Sequence, residues 1–573
     1  MTTPGFTARA PAVSLCLLAA ALPLVFAATL FEPFLETKEL LLVAGAAAVA
    51  ALWLVTGARP GLPRTRVWAV LAVLAGTSGL SLFRSAYPAA SAAAAAHFTA
   101  MLLLFVVAAS VMQASTARDA LTAALTGAGA IEAAYVLCQA LVGDPLFDAG
   151  RLAGKWRTFG TLGNPNWAGE FLAVALLAAW GRYAARRASG PRQKAVSAAC
   201  LALIAMGLAA TFARGAWLAC AVGAAGFWLV RRAHAPAPRA RLAAAAALAG
   251  AGVAAALVLA LRPDTLAHLV NIASLRGRLW MWAVSGTMIR EAPWGGFGLG
   301  TFGLHFPVYQ ARAFAQPWAQ PFLRNGSFTP HAHQDFLQLW AEAGLLAPLA
   351  LTVLAGLVLA RGRRLACDPP ALGCWAALVA LGVNAVFASP LYLPASAGLA
   401  AVLLGAVEAA AAGESFRLLP AARPARWAAC LAAAGLCAVA WPYCWRRAAA
   451  DAAVGRAGAA MARRDWPAAA GALRAALASD PAHREAWSLE GRLRFQRRAY
   501  PEAAEAFERA ARLGYDPEVF EGKAAALWKA GYRAAAVSTL EELARLRPDL
   551  PWPGRQVRAL RAAAAALEPR STP

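Results

Sequence analysis

Charge is what this chain has least of. Asp, Glu, Lys and Arg make up only 15% of its residues and hydrophobic types 60%, against roughly 25% and 45–50% in soluble proteins. Acidic residues are scarcest: 30 in 573, and 15 of those lie beyond residue 444. That distribution excludes a wholly soluble protein and divides the chain near residue 445 into an apolar part and a water-compatible part. The nine cysteines include no Cys-x-x-Cys pair, so no zinc pattern and no disulfide framework are present. Cys430, Cys437 and Cys444 recur every seven residues and read as small residues at a helix contact. No small-residue cleavage site closes the first apolar run after Arg9, which reads as an uncleaved helix. The net charge of +24 would suit nucleic acid, but its arginines fall in short clusters between apolar runs, where membrane loops belong. Nucleic acid is therefore not an expected partner.

What the chain has in abundance is apolar runs. A bilayer core about 30 Å thick needs about 20 apolar helical residues. Suitable runs fall near 11–31, 39–57, 67–83, 93–113, 119–141, 167–184, 195–211, 213–231, 242–261, 336–360, 371–389, 395–412 and 427–444. They predict an all-α, polytopic bundle of about 13 spans over residues 1–444, helical because lipid offers the backbone no partners. With the N-terminus inside, the clusters at Arg59–Arg66, Arg182–Lys194, Arg231–Arg241, Arg361–Arg364 and Arg417–Arg426 all fall on the cytoplasmic side. The large outer loop, 262–334, is basic in spite of that rule: six arginines face only Asp264 and Glu291. Such an excess suits an anionic ligand.

Beyond residue 445 the pattern becomes amphipathic. The stretches "RDWPAAAGALRAALASDP" and "RAYPEAAEAFERAARLGYDP" align Trp466-Pro467 with Tyr500-Pro501, 34 residues apart, and a weaker third copy starts near Tyr532. That period, with Trp487, Gly491, Ala503, Phe507 and Ala510 at helix-contact positions, predicts a tetratricopeptide-like domain over 445–573.

Four segments at the expected outer face could carry chemistry. In "TFGTLGNPNWAGEFL" (158–172) a tight turn precedes a span, with Asn166 where an N-cap belongs. In "TFARGAWLA" (211–219) Arg214 sits at membrane depth between two spans; it faces a polar cavity or snorkels to the interface. In "RGRLWMWAVSGTMIREAPWGGFGLGTF" (276–302) Arg278 and Trp282 share a helical face, Arg276 stands beside them, and a glycine string follows. No strand precedes those glycines, so they read as a flexible loop or a close backbone approach, not a dinucleotide fingerprint. In "TPHAHQDFLQLWAEAGLLAPL" (329–349) His331 and His333 stand at a helix entry beside Asp335, and Glu342 lies one to two turns deeper. A His-x-His pair alone is a weak metal signal; a His–Asp pair and an interhelix hydrogen bond from Glu342 are the structural alternatives.

Taken together and in order, these segments resemble the O-antigen ligase and polymerase superfamily over roughly residues 30–405. The turn "GNPN", the arginine in "TFARGA", the run from Arg278 and Trp282 to Pro293 and the glycines, and His333-x-x-x-Leu337-Gln338-x-x-x-Glu342-x-Gly344 carry the likeness. The family commonly has His-Asn where this chain has His333-Gln334. The resemblance implies transfer of a glycan from a polyprenyl-diphosphate carrier to an acceptor at the outer face of a bacterial inner membrane. In that scheme Arg214 and Arg278, with Arg276 in reserve, stabilise the diphosphate leaving group. His333 deprotonates or orients the acceptor hydroxyl. Asn166, His331, Asp335 and Glu342 line the substrate site, inversion is expected, and neither metal nor cofactor is needed. Expected partners are the lipid-linked donor, a glycan, lipid or protein acceptor, the bilayer and a protein bound by the repeats. A polysaccharide polymerase, a protein O-oligosaccharyltransferase, a transporter or flippase and a membrane scaffold for the repeats are the other readings.

Overall fold

The computed structural model describes residues 6–56, 61–146, 158–186, 190–234, 273–416 and 423–567. It is all-helical apart from a two-residue antiparallel pair, Leu62–Pro63 with Ser415–Phe416. The helices before the large loop are α1 (Phe6–Leu24), α2 (Leu35–Val55), α3 (Val67–Leu82), α4 (Pro88–Val111), α5 (Ser115–Leu141), α6 (Pro165–Ala185), α7 (Pro191–Ala210) and α8 (Arg214–His234). Then come α9 (Ala273–Glu291), α10 (Phe302–Phe314), α11 (Asp335–Ala343), α12 (Leu346–Arg361), α13 (Pro369–Asn384), α14 (Pro394–Ala411) and α15 (Arg423–Ala462). The tail is α16 (Trp466–Ser479), α17 (Arg484–Gln496), α18 (Tyr500–Leu513), α19 (Pro517–Lys529), α20 (Arg533–Leu546) and α21 (Pro551–Leu567).

Among the described residues seven helices are long and apolar enough to cross a membrane: α2, α4, α5, α7, α12, α14 and α15. Three more apolar helices, in α1, α3 and α13, are shorter, and the run at 242–261 lies outside the described residues. The chain is thus a polytopic helical membrane protein. Helix α14 is buried along nearly its whole length and packs on α4; α13 packs on α6 and α8. Small residues let these helices approach closely: a Cβ on Gly181 of α6 would meet the Gly373 Cα of α13 at 2.8 Å. The outer surfaces carry Leu349, Val353, Leu431 and Val439, each about half exposed or more, as lipid-facing side chains should be.

One expected span is corrected. The run at 336–360 is two helices, α11 and α12, because Gly344 adopts φ +82 and presses on the earlier loop at Trp294 and Gly295. A Cβ there would lie 2.0 Å from the Trp294 carbonyl oxygen, so only glycine fits.

The ends of the bundle differ. One gathers Arg118–Asp368, Arg182–Asp119 and Arg361–Glu408, with Arg231 donating to the Ala366 carbonyl. The opposite end carries the α1–α2 connection and the four motif segments. Helix α15 runs unbroken through residue 445. At that motif end Arg447 pairs with Glu36, and Asp451 accepts the backbone N–H of Phe31 and Glu32. The tail therefore emerges at the motif face. Its helices pack as successive neighbours, with the Phe507 ring lying against Gly491 and Gly522. Burial along the cysteine stripe on α15 increases toward the motif end: Cys430 is exposed, Cys437 half-buried, and Cys444 buried with its thiol against the Leu40 carbonyl.

Candidate active site

The first motif is a keystone. Glu132, fully buried, accepts the Thr161 N–H and hydroxyl, the latter at 2.5 Å, and Lys38 donates to the Thr161 carbonyl at 2.7 Å. Gln139 accepts the N–H groups of Phe159 and Gly160. Charged groups at such depth are expensive unless paired, and here each is spent on fixing one turn. The turn then starts α6. Its N-cap is Asn164, not Asn166: the Asn164 side chain accepts the Asn166 N–H at 2.9 Å, since Pro165 occupies the first helical position. Asn166 itself is exposed. One turn further, α6 meets the second motif. A Cβ on Gly169 would stand 2.6 Å from Ala213 and 2.9 Å from the Thr211 hydroxyl. The first motif thereby sets the position of Arg214.

Arg214 opens α8 after Phe212, whose φ of +53 is rare outside glycine. Its side chain is exposed and its Nη2 donates to Ser274 at 2.9 Å, at the start of α9. Arg276 is exposed on that helix; Arg278 is half-buried. Trp280, two residues on, is fully buried and donates to Gln310 at 3.0 Å, which locks α9 against α10. Arg278 is held below the ordinary guanidinium range by burial and then by the Arg214 cation.

The glycine string makes the close approach. Phe297 and Gly298 donate their N–H groups to the carbonyls of Ala341 and Glu342, and Leu345 donates to Pro293. Glu342, 1% exposed, accepts the N–H of Gly300 at 2.9 Å and of Phe302 at 3.1 Å, the Tyr392 hydroxyl at 2.9 Å and the Gln338 amide at 3.3 Å. Both its oxygens are thus engaged with protein donors. Asp335 is likewise buried and accepts the Leu391 N–H at 3.1 Å rather than pairing with a histidine.

His333 has φ +52, a conformation that persists in a non-glycine residue only when its surroundings impose it. Gln334 imposes part of it by N-capping α11 through the Leu337 N–H, so glutamine here does a task that asparagine can also do. The His333 imidazole is pushed down to about 4 by burial and then by the Arg278 cation. His331 lies deeper. It contacts the Gln338 amide at 3.3 Å and the Tyr392 ring at 5.6 Å, and it too is pushed down to about 4, by burial first and then by His333 and His97. Arg214, Arg278 and His333 therefore share one electrostatic neighbourhood, with His331, Asp335 and Glu342 beneath it and Asn166 on the rim of the keystone turn. Among the described residues no group of three or more His, Cys, Asp or Glu is arranged to hold a metal ion.

Three supporting residues were not legible in the sequence. His97 bridges Glu39 at 2.8 Å and the Leu391 carbonyl at 3.0 Å; Tyr392 reaches Glu342; Gln310 ties Trp280 to the histidine strap. Each acts on a partner far away in the chain, and none lies in a motif.

Fold and site define a polytopic helical membrane protein in which Arg214, Arg278 and His333 are electrostatically coupled at one end of the bundle. Residues 199–352 match a family model described as O-Antigen ligase. That segment holds Arg214, Arg276, Arg278, His331, His333, Asp335 and Glu342, but neither Asn166 nor the tail. No curated protein matches the chain.

Proposed function

We propose that this protein is a membrane glycosyltransferase that moves a glycan from a polyprenyl-diphosphate carrier to an acceptor hydroxyl at the outer face of a bacterial inner membrane. The observation that carries the reading is the convergence of Arg214, Arg278 and His333 within the segment similar to O-antigen ligases. A diphosphate leaving group gathers negative charge as the glycosidic C–O bond breaks. Guanidinium forks are the natural stabiliser of such a charge, and the mutual repulsion of Arg214 and Arg278 is relieved when the anion binds.

The acceptor oxygen attacks the anomeric carbon from the face opposite the departing phosphate, with inversion, and its proton passes to a ring nitrogen of His333. A histidine held near 4 is neutral at pH 7 and so free to accept. It is a weak base while Arg278 bears on it. Donor binding corrects this, because the diphosphate offsets the Arg278 charge and raises the basicity of His333 only once donor is in place. Arg276 is the reserve phosphate contact. Asp335 and Glu342 act from below by holding the loops, and Asn166 and His331 border the substrate. The reaction requires no metal.

In this reading residues 1–444 form the membrane unit, with a cytoplasmic N-terminus, and 445–573 form a tetratricopeptide-like unit at the outer face. An acceptor of lipid A–core type is the first choice. A protein acceptor is the second, favoured by a cavity of about 330 Å³ in the tail lined by Met461, Trp466, Phe495 and Phe507. Lipopolysaccharide, capsule and glycoprotein profiles of a strain lacking the protein decide between them. Loss of long glycan from lipid A–core supports the first, loss from a protein supports the second, and three unchanged profiles overturn the transferase reading.

A further inference from the structure

The tail does more than emerge beside the site; it grips it. Helix α20 packs on α10 within the large outer loop, where Phe520, Leu543 and Leu546 bury themselves against Val308, Ala311 and Phe328. At the edge of this apolar contact lies Arg547, 8% exposed. It forms a two-pronged pair with Asp549, at 2.8 and 2.7 Å, and the same guanidinium donates to the Gly326 carbonyl at 3.0 Å and covers the Phe328 ring at 5.0 Å. Tyr515 stacks on Phe328 from the array side. The fit leaves no room for a side chain at 326, where a Cβ would lie 2.4 Å from the Asp549 carboxylate.

The strap so gripped leads directly to the histidines. Ser327 exchanges two hydrogen bonds with Gln310, at 3.0 and 3.1 Å, and Gln310 holds Trp280 on the helix of Arg278. Thr329 bonds both the N–H and the carbonyl of His331, and the Ala332 N–H is held by Gln338. His333 follows in its left-handed conformation, which costs on the order of 1–3 kcal/mol and needs a rigid frame. An arginine bonded simultaneously to its own carboxylate, a main-chain carbonyl and an aromatic face is a strong, directional anchor for such a frame.

We infer that the C-terminal helical array is a positioning element of the candidate active site, acting through Arg547, which clamps strap 326–333 and so fixes His331 and His333. Arg547 touches no substrate. Its role in catalysis rests on the transferase reading, but its grip on the strap does not.

Hydrogen–deuterium exchange on the full-length protein in nanodiscs separates the two. Arg547→Ala should speed exchange of the amides in 326–333 about tenfold or more while α16–α19 and the membrane helices keep their protection. Arg547→Lys should restore it in part, since one prong survives. Unchanged exchange across the strap overturns the clamp. Should Arg547→Ala loosen the whole array, Gly326→Ala decides instead, because it breaks the contact from the loop side with the array sequence intact; faster strap exchange supports the clamp and unchanged exchange overturns it. In a transfer assay Arg547→Ala should lower kcat by about tenfold or more, with the KM for donor little changed and partial rescue by lysine. A loosened strap with normal kcat overturns the positioning role. Absence of transfer in the parent protein refutes the transferase reading and leaves the exchange result standing.

Discussion

His333 should titrate differently with and without donor. Its imidazole is pushed down to about 4, against 6.5 for the free side chain, with burial the larger cause and the Arg278 cation the second. Transfer requires the neutral ring, so activity falls as pH drops through this pKa, and anything that raises the pKa moves the fall to higher pH. The acid limb of kcat/KM reports the free protein and should lie near 4. The acid limb of kcat reports the donor complex, where the diphosphate offsets Arg278, and should lie higher. Arg278→Gln removes the second cause and leaves burial. It should therefore recover less than half the distance to 6.5, a rise of about 0.5–1 pH unit in the kcat/KM limb, alongside a large drop in rate. Steady-state transfer measured from about pH 2.5 to 9 brackets both limbs. A kcat/KM limb that stays in place in Arg278→Gln, or moves to lower pH, would refute the coupling between these two residues.

Two further outcomes follow from the geometry. Glu342→Ala strips the acceptor from the Gly300 and Phe302 N–H groups and the Tyr392 hydroxyl. Three donors left without this acceptor, one buried and two part-buried, each about 1–3 kcal/mol, should destabilise the fold by roughly 3–5 kcal/mol after relaxation, with Glu342→Gln intermediate. Thermal unfolding in detergent checks this, and an alanine variant that melts like the parent contradicts it. Alkaline phosphatase fused after residue 573 should be active, because the tail shares the motif face; an inactive phosphatase with a fluorescent cytoplasmic reporter would place that face inside.

Helices were the legible part of this molecule, because apolar runs of bilayer length leave the backbone no other choice. Their interruptions were less so. The break at Gly344 is imposed by the Trp294 carbonyl, fifty residues earlier in the chain, and nothing in the apolar run at 336–360 marks it. Asn164 and Asn166 look alike as caps in sequence; Pro165 between them, placed at the first helical position, selects Asn164. Arg214, Arg278 and His333 could be picked from the motifs as candidates, since each is a charged or titratable residue at the expected membrane surface. The roles of Asp335 and Glu342 could not, because their partners are main-chain groups at 391, 300 and 302, visible only after folding. Arg547 was one arginine among many in a basic tail, and only the docking of α20 on α10 distinguishes it.

In the proposed reaction Arg214 and Arg278 stabilise a departing lipid diphosphate while His333 takes the acceptor proton. The most direct test is release of polyprenyl diphosphate from a labelled polyprenyl-diphosphate glycan by the protein in proteoliposomes, with acceptor present. The parent should release it and transfer the label. Arg214→Ala and Arg278→Ala should each lose about 10²–10³ in rate while remaining folded in the membrane, and lysine at either position should rescue poorly. Full release by either alanine variant, or no release by the parent with any lipid, glycan or protein acceptor, would contradict the account.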